Sequence, residues 1–169
     1  MILLLIALLL LPTAMMPREE LYPVERVEVE ARDASIPADA RRAIVITRTG
    51  GISPVKTLNV KAYEKEGEYK TVHVEYIVVY HTGDYVVAQR KADFESFEKA
   101  WLEIAKNRAL LLEDSTEGPK DQPTYTVRIK EVKKSNSFTV TAPEANEDPR
   151  YANIVSAMEN FWREQLEIQ

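Results

Sequence analysis

His73 and His81 are the chain's two histidines, and there is no cysteine. Imidazole is the side chain most used for proton transfer near neutral pH and, with thiolate, for holding transition metals. The two histidines lie eight positions apart in one alternating stretch, so both project from the same side of the strand it predicts. At about 3.3 Å per residue they stand about 26 Å apart, beyond any shared metal or substrate atom. Neither belongs to an H-E-x-x-H pattern, so a bound metal would have to rest mainly on carboxylates. His73 and Glu75 are same-face neighbours and read as part of a polar row across a sheet. No serine sits in a G-x-S-x-G elbow, and Gly50-Gly51 lacks the further glycines and lysine of a phosphate cradle. The 27 acidic residues permit many carboxylate pairs, and spacing marks out none of them. The expectation is a non-enzymatic protein without cofactor or metal, acting by binding.

The elements that would carry a binding site must come from one core. A length of 169 residues, 45% of them hydrophobic, suffices for one domain and is short for two. Charged residues of both signs make up 29% of the chain, the coat of a folded protein, not of a disordered tail. A net charge of -5 argues against nucleic acid, which wants a concentrated basic surface. The one dense basic stretch, with Lys130, Lys133 and Lys134, falls at an expected hairpin end and reads as a solvated turn. Without cysteine there is no disulfide, no thiol chemistry and no lipid-bearing cysteine, so packing alone must hold the fold.

Ile2 to Leu11 is an unbroken apolar run followed by Pro12, Thr13 and Ala14. It is too short for a bilayer, which needs about 20 apolar residues, and has the size of a signal-peptide core. We therefore expect residues 1–16 to be a signal peptide, the protein to be secreted or periplasmic, and no membrane span to remain after its removal. No Lys or Arg precedes the run, and cleavage after Ala14 would put Pro12 where a small residue is usual. Cleavage a few residues to either side, or an uncleaved anchor, stays open. Residues 17–42 are expected to hold an exit segment, a strand and a loop, and residues 43–169 a single α+β domain.

In the first of these, Val27, Val29 and Ala31 alternate with Glu28, Glu30 and Arg32, the pattern of a strand with one wet face. Ser35 to Arg42, with Pro37 inside it, reads as a loop, Ile44 to Ile46 as a short strand running into Thr49, Gly50 and Gly51, and Val55 to Lys61 as a weaker strand. Val72, Val74, Tyr76, Val78 and Tyr80 alternate clearly, and Ile77 and Val79 make the second face apolar too, as in a central strand. The chain turns at His81-Thr82-Gly83 and returns through Tyr85, Val86 and Val87.

Asp93 can cap a helix whose apolar stripe holds Phe94, Phe97, Trp101, Ile104, Leu111 and Leu112. Arg108 falls within the stripe, with its stem on the core edge and its head in water or against an acidic partner. Asp148-Pro149 opens a second helix with Tyr151, Ile154, Val155, Met158, Phe161 and Trp162 on its apolar face. Between the helices, Tyr125 to Ile129 and Phe138 to Val140 should pair as a hairpin across Lys133 to Ser137. The order predicts an α+β fold: an antiparallel sheet of about six or seven strands with two amphipathic helices on one face.

Two stretches carry a family resemblance. Ile46-Thr47-Arg48-Thr49-Gly50-Gly51-Ile52 resembles the strand-then-R-x-G-G opening of emfourin-like proteins. The helix from Phe94, the polar loop, Tyr125-Thr126-Val127-Arg128-Ile129 and Ser137 to Pro143 are similar to the rest of that pattern. The resemblance covers about two-thirds of the chain after the signal peptide. It implies a small α+β protein that inhibits thermolysin-like metallopeptidases by binding, with a contact through Arg48, Thr49, Gly50, Gly51 and Ile52. Ser53-Pro54 departs from the small residue and further glycine usual there, and Glu68 to Arg90 reads as an inserted hairpin. A cell-envelope structural or interaction module, pairing through a sheet edge, is the alternative.

Overall fold

The computed structural model describes residues 35–119 and 121–166. The expected signal peptide and the strand from Val27 to Ala31 lie outside them. Six strands form one antiparallel sheet: β1 (Ala40–Gly50), β2 (Val55–Lys65), β3 (Val72–Tyr80), β4 (Tyr85–Ala92), β5 (Pro123–Glu131) and β6 (Lys134–Thr141). Their order is β4-β3-β2-β1-β5-β6. Helices α1 (Phe94–Lys106) and α2 (Pro149–Leu166) follow β4 and β6. Among the described residues, no helix is long and apolar enough to cross a membrane.

The period-2 pattern explains which face is which. Ile44 and Ile46 of β1, Val60 and Ala62 of β2, Val72 and Val74 of β3, and Val127 and Ile129 of β5 share one core with the helices. Their register is set by the pairs Ile46↔Val60 and Ile46↔Val127. Slipping by one residue would swap this apolar row for the opposite face. That opposite face carries the polar row expected around His73: Lys61 Nζ meets Glu75 at 3.1 Å, Tyr63 donates to Glu75 at 2.7 Å, and His73 stacks on Tyr63. β3 pairs on both sides, as its two-faced apolar pattern requires.

Asp93 caps α1 by accepting from the Ser96 N–H at 2.7 Å, and Asp148 accepts from Arg150 N–H at 3.0 Å to start α2. Phe97, Trp101 and Ile104 on α1 pack with all six apolar residues expected on α2. Burying each such side chain contributes about 1.5–3 kcal/mol. α1 ends sooner than its stripe suggested. Asn107 stops it, bonding back to Glu103 O and receiving Asn153 from α2. Arg108 then turns left-handed, so Leu112 returns to the core while Leu111 is left exposed.

Three further boundaries differ from the sequence reading. β1 begins at Ala40, inside the expected loop, because Arg42 already pairs in register with Glu64 and Glu131. β2 runs on to Lys65, held along its length by both neighbours. β6 begins at Lys134, because the turn is only Val132-Lys133; Val132 adopts φ 52° and its N–H donates to Arg41 O at 2.7 Å.

At this end of the sheet Arg42 ties strands to helix. Its guanidinium lies over the Phe97 and Trp101 rings at 5.4 and 5.3 Å and bonds both Glu64 and Glu98. Burial works to lower its pKa, but the two carboxylates outweigh that and hold it above its ordinary value. Glu64, 1% exposed, also accepts from Arg41.

Candidate functional site

Two long paired strands, β1 and β2, end in the loop that carries the expected contact. Arg48 sits on the helix-facing side of β1, opposite Leu58 and Tyr125, with its Nε buried and without a hydrogen-bond partner. Thr49 points the other way, opposite Thr57 and Thr124. Gly50 still pairs with Pro123, then Gly50 and Gly51 take φ of 74° and 78° in succession. A side chain is strained at either position, which is the reason for two glycines here. The double left-handed step carries Ile52 clear of the sheet, where it is 94% exposed.

The loop is held from both sides. A Cβ on Gly51 would touch the Pro123 ring at 3.4 Å, an ordinary contact, so that ring forms one flank. Ser53 Oγ accepts from the Val55 N–H at 3.2 Å, and Pro54 O accepts from the His81 N–H at 3.2 Å. His81 therefore belongs to the β3–β4 turn, beyond the strand that carries His73, and braces the loop through its backbone. In that turn Gly83 has φ 96° and the Tyr80 N–H donates to Asp84 O at 2.8 Å.

Beside the loop, Pro123 is also a wall of a cavity of about 340 Å³ reaching to α2. Tyr125 lines it and donates to Glu159 at 3.0 Å. Burial first, then the charge of Glu159 and its hydrogen bond, pushes the Tyr125 hydroxyl up to about 12, with Arg48 pulling the other way. A hydroxyl so held stays protonated at neutral pH and serves as a hydrogen-bond donor, not as a base.

The structure thus brings Arg48, Thr49, Gly50, Gly51 and Ile52 to one end of the sheet, and adds Pro123, His81 and Tyr125, which sequence reasoning did not associate with them. Only the paired glycines signalled the loop. Among the described residues, no group of three or more His, Asp or Glu side chains is placed to hold a metal ion. The geometry offers an apolar side chain on a braced, side-chain-poor backbone, suited to occupying a cleft. No protein-family profile matches the chain, and no curated protein matches it.

Proposed function

We propose that this chain is an exported, non-catalytic binding protein that inhibits a thermolysin-like metallopeptidase by seating the loop of Arg48, Thr49, Gly50, Gly51 and Ile52 in its cleft. One observation carries the reading: Ile52 is almost fully exposed at the tip of a loop braced by Pro123 and His81. An exposed isoleucine offers apolar area for a receiving pocket to bury, and bracing lowers the entropy lost when it is received. The emfourin resemblance names the class of receiver, and a secreted or periplasmic location is where such a peptidase would be met.

In this reading inhibition is occupancy. Gly50 and Gly51 let the backbone approach a narrow cleft closely, Ile52 fills an apolar subsite, and the strands behind resist the distortion that cleavage would need. Titrating a thermolysin-like peptidase with the protein tests it: activity should fall near stoichiometrically, and the inhibitor should be recovered intact. Gly51→Val, checked by a thermal melt for retained fold, should abolish inhibition. A folded Gly51→Val that inhibits like the parent removes the loop from the interface, and a parent inactive on several such peptidases rejects the inhibitor reading. The envelope-module alternative draws on β4, which ends the sheet with no strand on its outer side among the described residues. Mixing with envelope fractions should then recruit the protein through that edge.

A further inference from the structure

A cavity of about 690 Å³ lies at the end of the sheet away from Gly50-Gly51. Gly50 lies eight steps along β1 from Arg42, which pairs with Glu131 beside this cavity, a distance of about 26 Å. Its floor is apolar: Trp101 and Ile104 of α1 and Ile129 of β5. Leu111, 73% exposed, lines it as well.

The rim is basic. Arg108, Lys133 and Lys134 border the cavity against one carboxylate, Glu131. All three cations are exposed, and none takes part in an ion pair among the described residues. In a chain of net charge -5 this is a local reversal of sign. Left-handed backbone coincides with it: Arg108, which lines the cavity, and Val132, between the lining residues Glu131 and Lys133, have φ of 53° and 52°. A β-branched residue at positive φ is a genuine outlier, and such strain concentrates at functional surfaces.

We infer that this groove is a second interaction surface, taking an acidic, amphipathic peptide segment of a protein partner. The partner's apolar side chains pack on Leu111 and the Trp101–Ile129 floor, while its carboxylates pair with Arg108, Lys133 and Lys134. An apolar centre ringed by unpaired cations fits that chemistry and repels a basic segment. The interaction does not depend on the peptidase reading, because the two surfaces lie at opposite ends of β1.

The test uses the purified chain labelled with nitrogen-15 and three probes. The first is a 14-residue peptide with leucines at helical spacing and glutamates elsewhere; the second replaces the glutamates by lysines; the third is phosphatidylglycerol vesicles. The acidic peptide should shift the amides of Arg108 to Leu111 and Glu131 to Ser135, and weaken as salt is raised. The triple variant Arg108→Gln/Lys133→Gln/Lys134→Gln and the single variant Leu111→Ser should each raise Kd at least tenfold. All four positions are exposed, so thermal melts should match the parent. Gly51→Val should bind the acidic peptide as the parent does. Shifts elsewhere, equal binding of the lysine peptide, an undiminished triple variant, or vesicles binding this surface where the acidic peptide does not would each overturn the proposal.

Discussion

Replacing Glu64 by Gln keeps the side-chain shape and removes one negative charge from the Arg41–Glu64–Arg42–Glu98 cluster. The two arginines respond differently. Arg41 has a side chain 53% exposed and turns to water at almost no cost, whereas the Arg42 side chain is 13% exposed and cannot. Removing one partner of a buried ion pair costs about 3–5 kcal/mol. Arg42 retains Glu98 and two aromatic rings, which places the loss at the lower end, about 3 kcal/mol. For a chain of this size that lowers Tm by about 6–12 °C. Glu98→Gln removes the more exposed carboxylate and should cost under about 1 kcal/mol. The double replacement Arg42→Met/Glu64→Leu exchanges the pair for apolar packing and should recover most of the loss. Thermal and urea unfolding of the parent and these three variants provide the measurement. A Glu64→Gln protein melting within a degree or two of the parent, or no more affected than Glu98→Gln, would show that this end of the sheet is solvated and refute the reasoning.

Ile52→Ala removes about 2 kcal/mol of apolar burial from a complex that seats this residue, a roughly thirtyfold rise in the inhibition constant; melts should be unchanged because the side chain is exposed in the free protein. Tyr125 has a folded-state pKa pushed up to about 12 from an ordinary value of 10.0. The unfolded chain therefore loses this proton first, and the stabilising contribution, complete below pH 10, is lost as pH rises toward 12. Burial and Glu75 hold the Tyr63 hydroxyl up as well, so phenolate absorbance should show one fewer late-titrating tyrosine in Tyr125→Phe, whose stability should fall less over that window. N-terminal sequencing of exported protein should find the mature start between about Ala14 and Arg18; intact Met1 in a membrane fraction would mean an anchor.

What the sequence disclosed depended on whether a signal was local. Alternation over Val72 to Tyr80 and the caps Asp93 and Asp148 act within a few residues, and each appears where its pattern placed it. In sequence Arg42 reads as the end of a loop, and its pairing with Glu64 has no local signal, because the ring sandwich and carboxylate that bury Arg42 come from α1, more than fifty residues on. Val132 is a β-branched residue that by propensity belongs in a strand; a hydrogen bond to Arg41, distant in sequence, holds it in the turn. The same division runs through the loop at Gly50. Consecutive glycines announced unusual backbone geometry, but nothing near them in the chain pointed to Pro123 or His81.

The strand order has a consequence for how the molecule is made. β1 to β4 form a meander in which each strand pairs with the one before it, and they can assemble as the chain emerges from the ribosome. The other side of β1 is completed only by β5, and Gly50 waits about seventy residues for Pro123. Until then a newly made half-sheet presents Ile44, Val45 and Ile46 along an open edge, a template for pairing with a neighbouring copy. Closing so long a loop is entropically slow compared with forming the adjacent hairpins. Refolding yield should therefore fall with protein concentration, and a holdase that shields β1 until β5 arrives should restore it.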